Sequence, residues 1–192
     1  MEELPVRTDE ELAALVQKGD EGALAMLIDR YESKLLRYGQ RFIGAQNENA
    51  LHEAVQDIFI SVYQNIEGFD VKQRFSPWIY RVAHNAFVDV LRQKTKQPLY
   101  VFDFDKVLSH PIQEETIVKE KENAETRVLL EKSLEQLSVQ QREIIVLYYF
   151  EDFSYKEIAD VLHIPVSTVG VRLARARSSL KKVLPDPSML PI

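Results

Sequence analysis

Apolar residues recur along this chain at steps of three and four, and almost nowhere in strict alternation, so the predicted elements are helices. In "EGALAMLIDRYESKLLRYGQRFI" the residues Leu24, Leu27, Ile28, Tyr31, Leu35, Tyr38 and Phe42 form one stripe, with Asp20 placed just before the run. A second stripe runs through Ala54, Val55, Ile58, Val62 and Ile66 and stops near Gly68. "SPWIYRVAHNAFVDVLRQK" predicts a helix capped by Ser76 with Pro77 at its first position, where a missing N–H costs nothing. Within it, Trp78, Val82, Ala86 and Val90 fall at steps of four, which predicts Trp78 as a core anchor, not a stacking platform for a base. Phe75 falls in the preceding loop with its role open.

Three pairs have capping-box spacing: Thr8 with Glu11, Ser138 with Gln141, and Ser154 with Glu157. They predict helix starts before "ELAALVQ", "VQQREIIVLYYF" and "YKEIADVL". The last is followed by "HIP" and a longer run in which Val169, Leu173, Ala176, Leu180 and Val183 form a seam. A short capped helix, a tight turn and a second helix, with Ile158, Ala159, Leu162 and Ile164 facing inward, is helix-turn-helix spacing. His163 stands in the turn where Gly is common, and histidine tolerates a positive φ better than β-branched residues do. Residues 96–125 carry Pro98 and Pro111, break the periodicity and end in a charge-rich run, so they read as a flexible linker. The predicted fold class is all-α, with two helical domains at 1–95 and 126–184 and a disordered tail at 185–192.

Charge changes the picture more than composition does. The chain carries a formal net charge of −6, yet residues 72–96 sum to +5 and residues 166–184 to +5. Two basic islands on separate helices point to a polyanion with two contact points, because clustered Lys and Arg release condensed counterions from phosphate. On the second island Ser167, Thr168, Val171, Arg172 and Arg175 lie off the apolar seam and are predicted to meet DNA. An Asp or Glu there would repel phosphate, which accounts for the absence of carboxylates in residues 166–184. No cysteine is present, and the four histidines have no familiar metal-ligand spacing, so neither disulfide nor thiolate zinc site is available and no cofactor is expected. No continuous apolar run of membrane length occurs, and a cytoplasmic protein without membrane insertion is expected. Nucleophile elbow, HExxH, P-loop and GxGxxG motifs are all missing, which disfavours a hydrolase and predicts no enzymatic activity.

The ordered set "EAVQDIFISVYQNI", "RFSPWIYRVAHNAFVDVLRQK" and "LEQLSVQQREIIVLYYFEDFSYKEIADVLHIPVSTVGVRLARARSSLKK" resembles regions two and four of the extracytoplasmic-function (ECF) sigma factors of bacterial RNA polymerase. The resemblance implies a transcription initiation factor whose partners are core RNA polymerase, promoter DNA and an anti-sigma protein. It implies that Glu53, Gln56, Asp57 and Tyr63 grip polymerase, with Phe59 and Ile60 either interface anchors or core. It implies that Lys72, Arg74, Arg81, Arg92 and Lys94 hold the minus-ten strand while Asn85 reads an extruded base. The second domain would read the minus-thirty-five element. His84, at a position often basic, would make any phosphate contact there pH-dependent. Gly170 and Val171 replace polar residues common in the family and imply a shifted promoter preference. The acidic linker, with Asp103, Asp105, Glu114 and Glu115, is equally consistent with an RNA mimic and a soluble tether. The alternative to this reading is a stand-alone helix-turn-helix repressor or activator whose first domain oligomerises or senses.

Overall fold

The computed structural model describes residues 7–44, 48–95 and 132–184, with side chains up to Arg92 in the second segment. The predicted linker, the tail and the side chain of Lys94 lie outside the described residues.

The first lobe holds α1 (Asp9–Val16), α2 (Glu21–Ile43), α3 (Glu48–Asn65) with a 3₁₀ turn at Ile66–Gly68, and α4 (Phe75–Thr95). The second holds α5 (Val139–Ile145), a π-helical turn (Val146–Phe150), α6 (Tyr155–Leu162) and α7 (Val166–Val183). No strand occurs among the described residues, as the helical periodicity predicts. All three capping boxes form: the Thr8, Ser138 and Ser154 hydroxyls each accept from the backbone N–H three residues on, and each N3 side chain returns a bond. Asp20 caps α2 by accepting from the Ala23 N–H at 3.0 Å.

The α2 stripe is buried at Leu27, Tyr31, Leu35, Tyr38 and Phe42, with Leu24 and Ile28 half-buried on its flank. Gly39 lets α2 press against α3 and α4: a Cβ there would lie 2.3 Å from Leu51 Cδ1 and 2.8 Å from Phe87 Cζ. The α3 stripe is buried throughout, and Phe59 joins it, which assigns that ring to the core, whereas Ile60 is exposed.

Helix α4 departs from expectation in two ways. It begins at Phe75, ahead of the predicted Ser76 cap, because a distant carboxylate does the capping: Glu10 Oε1 on α1 accepts the Phe75 N–H at 2.9 Å. Pro77 therefore sits in the first turn, where its missing N–H is still no loss. Its buried stripe is Phe75, Ile79, Tyr80, Ala83, Phe87 and Leu91, while Trp78, Val82, Ala86 and Val90 are half-buried on the adjoining face. Trp78 is thus a flank residue resting on Phe69 and Phe75, with ring centroids 5.2 Å and 5.5 Å away. Phe75 is wholly buried, so it is core and offers no face to a base.

In the second lobe, α6, the turn and α7 form the predicted helix-turn-helix, with Ile158, Ala159, Leu162, Ile164, Val169, Leu173, Ala176 and Leu180 buried. His163 takes the left-handed conformation (φ 52, ψ 46), and its N–H and that of Ile164 both donate to the Ala159 carbonyl. Its side chain is exposed, so nothing it packs against repays the strain of a Cβ in that region. His163→Gly should raise stability by about 0.5–1 kcal/mol and His163→Val should lower it. Urea denaturation of the two variants against the parent measures both signs.

Candidate nucleic-acid and polymerase interfaces

Three surfaces carry the residues singled out from the sequence. On α7 the helix start is open: Ser167 and Arg175 are exposed, Thr168, Val171 and Arg172 are half-buried, and Gly170 is buried. Arg172 is less freely presented than its place off the seam predicts: it is partly buried, and that burial lowers its pKa against the opposing pull of Glu143. Ser167 and Arg175 thus form the solvent-facing part of the predicted recognition surface, with no carboxylate on the same helix.

The residues predicted for the minus-ten strand divide into two groups. Lys72, Arg74, Arg81 and Trp78 line one cleft, of about 750 Å³, whose opposite wall is Ser154, Lys156, Glu157 and Asp160 of the second lobe. Asn85 lines a different groove, of about 650 Å³, between α3 and α4, with Glu53, Asp57 and Asp89 around it and Ala54, Ile58, Val82, Ala86 and Val90 along it. Arg92 sits nearby on α4, paired with Asp89 at 3.1 Å and more than half exposed. The predicted base reader therefore shares a groove with two of the predicted polymerase contacts, and not with Lys72, Arg74 and Arg81.

The residues predicted to contact polymerase are exposed, as the α3 pattern predicts. Glu53, Gln56, Asp57 and Tyr63 are exposed, and Tyr63 at 51% and Ile60 at 55% are large side chains left uncovered on that helix. An apolar centre rimmed by carboxylates suits a cationic surface.

Contacts between the lobes, which sequence reasoning missed, concentrate on three carboxylates of the second lobe. Glu143, only 6% exposed, accepts from the Tyr38 hydroxyl at 3.1 Å and from His84 Nδ1. His84 is accordingly turned inward to a carboxylate, which corrects its expected place at a phosphate. Glu151 accepts from the Tyr80 hydroxyl and lies 3.9 Å from Arg41. Burial raises the Glu151 pKa, against the opposing pull of Tyr80 and Arg41, and burial likewise raises the pKa of Tyr38 and Tyr80. Glu157 pairs with Arg74. Phe153 meets Tyr80 edge to face at 5.0 Å, and the Arg41 guanidinium lies 4.3 Å from the Phe150 ring centroid. One sequence cue existed for Glu143: it is an acid inside the apolar run "EIIVLYYF".

No helix among the described residues is long and apolar enough to cross a membrane. The sigma-70 region 2 family model matches residues 27–97 and the sigma-70 region 4 model matches residues 127–180. The chain is 32% identical over 182 residues to the ECF RNA polymerase sigma factor SigW of Bacillus subtilis, covering 89% of this chain and 94% of that protein. It is 31% identical over 186 residues to the ECF RNA polymerase sigma-E factor of Escherichia coli, covering 93% and 95%. Its fold is similar to that of CnrH, solved in complex with the cytosolic domain of CnrY, with a TM-score of 0.65, 25% identity, and coverage of 92% of this chain and 96% of that one. Relatives that match across both lobes leave no place for the stand-alone repressor alternative. With both regions present in order and in the predicted elements, the chain belongs to the ECF sigma factors of the sigma-70 family.

Proposed function

We propose that residues 1–95 form the domain that binds core RNA polymerase and the minus-ten element, and that residues 126–184 form the domain that reads the minus-thirty-five element. Glu53, Gln56, Asp57 and Tyr63 bind polymerase, joined by the exposed Ile60. Lys72 and Arg74 in the loop before α4 and Arg81 on α4 hold the separated strand, with Arg92 and Lys94 further along α4. Ser167, Thr168, Val171, Arg172 and Arg175 read the duplex, Ser167 and Arg175 foremost. No covalent chemistry is involved, and the protein acts in the cytoplasm. CnrH is bound to the cytosolic domain of CnrY in its solved structure, and a protein partner, the anti-sigma protein that the family resemblance implies, is carried over to this chain as part of the proposal.

The observation that carries the reading is the exposed, carboxylate-free face of α7 following a capped helix and tight turn, in a chain whose net charge is −6. Such a face is expendable unless it meets an anion. Run-off transcription with purified core enzyme tests it. Arg175→Ala should lower promoter-dependent transcript by about 5–150-fold, the equivalent of about 1–3 kcal/mol for a bidentate base contact. Its affinity for core enzyme should stay unchanged.

The shared α3–α4 groove yields a second, more discriminating expectation. Asp57→Lys should weaken capture by core polymerase in a pull-down, since a complementary rim charge becomes repulsive. Asn85→Ala should leave that capture intact and slow promoter melting instead, as followed by permanganate footprinting, because its amide has little to read while a base stays paired. If both variants lose capture alike, the groove belongs to polymerase alone and Asn85 does not read DNA.

A further inference from the structure

The surface loop between α3 and α4 is held at both ends from α1. At its entry the Gln17 side-chain amide donates to the Ile66 carbonyl and to the Phe69 carbonyl, each at 2.8 Å. The Ile66 carbonyl also accepts the Phe69 N–H at 3.0 Å, so the amide takes its remaining lone pair. At the exit Glu10 Oε1 accepts the Phe75 N–H at 2.9 Å. Gln17 is the C-cap of α1 and Glu10 lies in its first turn, so one short helix supplies all three contacts. That helix is itself fixed: Leu12, Ala13 and Val16 are in the core, and Asp9 accepts from Arg30 and from the Tyr31 hydroxyl of α2, both at 2.6 Å.

Between the two attachments the loop closes a turn of its own. The Asp70 carbonyl accepts the Gln73 N–H at 2.9 Å, and Asp70 Oδ1 accepts the Lys72 N–H at 3.0 Å. Phe69 and Phe75 are buried on either side, and the residues between them, Asp70, Val71, Lys72, Gln73 and Arg74, are all exposed. An exposed connection of this kind is ordinarily where a domain has most backbone freedom. Here the backbone beneath Lys72 and Arg74 is tied down before any ligand arrives. A loop ordered in advance gives up little freedom on binding, so more of its contact energy appears as affinity. Neither Gln17 nor Glu10 is among the residues lining the cleft of Lys72, Arg74 and Arg81; both act on the loop's backbone.

We infer that Gln17 and Glu10 are positioning residues for strand binding: α1 braces the loop at Ile66, Phe69 and Phe75 and thereby sets where Lys72 and Arg74 meet a nucleic-acid strand. The inference rests on the role proposed above for those two cations; the brace itself stands on its hydrogen bonds.

Gln17→Met keeps the length of the side chain and its neutrality and removes both donors. The probe is a single-stranded oligonucleotide carrying the non-template strand of a promoter that the parent transcribes, measured with core polymerase bound. Its affinity should fall about 5–30-fold in Gln17→Met, the factor that the backbone freedom of one residue is worth, with capture by core polymerase unchanged. Affinity equal to the parent's overturns the inference. Asp20→Ala removes the N-cap of α2 and weakens the same lobe without touching the loop. An equal fall in that control would trace the effect to general loosening and overturn the inference too. Glu10→Ala and Glu10→Gln remove the same charge, but only glutamine keeps an oxygen for the Phe75 N–H. The glutamine variant should bind as the parent does and the alanine variant more weakly; equal binding by the two overturns the role of Glu10. Hydrogen exchange in the chain alone reads the brace without any strand. Gln17→Met should speed exchange at the Phe69 and Gln73 N–H groups and leave α3 as in the parent, and unchanged exchange in the loop overturns the brace. Lys72→Ala with Arg74→Ala separates the inference from its premise. The double variant should lower the salt dependence of binding by about two phosphate contacts, whereas Gln17→Met should lower affinity with the slope kept. A double variant with the parent's slope overturns the strand role of the cations. A reduced slope there, with no loss of affinity in Gln17→Met, overturns the positioning role alone.

Discussion

Replacing Phe75 by alanine should remove about 3–5 kcal/mol of stability, the range for deleting a fully buried phenyl ring that its surroundings cannot close over. The ring is wholly inaccessible. It meets Tyr31 and Phe69 edge to face at 5.5 and 5.4 Å and lies 5.5 Å from Trp78, so three aromatic neighbours lose a partner together. Its backbone is also the point where Glu10 of α1 starts helix α4, and a void there loosens the join between those two helices. Trp78→Ala should cost clearly less, since that side chain is only partly buried and lines the cleft. Urea denaturation ranks the two. Strand binding provides the opposite ranking: folded Phe75→Ala protein should bind single strands like the parent, whereas Trp78→Ala should bind more weakly if the indole shares the cleft's work with Lys72, Arg74 and Arg81. A Phe75→Ala variant as stable as the parent would contradict its place in the core.

The two outcomes for Phe75 and Trp78 show where sequence periodicity stops being decisive. Along α4, Trp78, Val82, Ala86 and Val90 make one apolar row at steps of four, and Phe75, Ile79, Ala83, Phe87 and Leu91 make another one position around the helix. Both satisfy the pattern. What selects the second is tertiary: the Glu10 carboxylate that pulls Phe75 into the helix, and the notch at Gly39 that admits Phe87. On α3 the row Ala54, Val55, Ile58, Val62 and Ile66 is buried as the pattern predicts, while Leu51 and Phe59, buried beside it, took the packed structure to assign. Capping boxes were legible because both partners lie within three residues and the chemistry is complete in a four-letter window. The helix-turn-helix could be read down to the left-handed residue, because a three-residue turn leaves few backbone choices and His163 is among the side chains that accept one of them.

The candidate surfaces divide along the same line. Exposure on α3 and at the start of α7 follows from helical phase, and Glu53, Gln56, Asp57, Tyr63, Ser167 and Arg175 lie where phase puts them. The lobe contact does not follow from phase. Its partners are separated by 105 residues for Tyr38 and Glu143, 59 for His84 and Glu143, 71 for Tyr80 and Glu151, and 83 for Arg74 and Glu157. No window of sequence contains both halves of any pair. The only local trace is an acid where an apolar residue would serve better, as at Glu143, and such an acid names no partner. That is also why the basic island at 72–96 read as one surface: charge summed along the chain cannot tell that Asn85 turns toward α3 while Arg74 turns toward α6.

Arg142 is the sharpest case of a residue whose weight is invisible in sequence, and Arg142→Lys should lower stability by about 2–3 kcal/mol despite keeping the charge. Its Nε donates to the Leu134 carbonyl at 2.9 Å, and its Nη2 to the Glu135 and Leu137 carbonyls at 3.2 and 3.3 Å. Nη1 reaches the Phe42 carbonyl of the first lobe. One planar fork thus satisfies three carbonyls of the turn that leads into α5 and one carbonyl at the end of α2. Partial burial lowers the Arg142 pKa, and guanidinium tolerates this because its proton is held far above neutral pH. A lysine ammonium is a single point on a flexible stem and cannot meet carbonyls spread along that fork, so at least two would be left without a donor. At about 1 kcal/mol for each group left short, and with about 2–4 °C of melting temperature per kcal/mol in a chain of this size, the midpoint should fall by roughly 5–10 °C. Calorimetry on Arg142→Lys and Arg142→Ala decides between fork and charge. Similar losses in both assign the stability to the fork geometry. A lysine variant that melts with the parent would show that a positive charge at that place suffices and that the four carbonyl contacts add nothing.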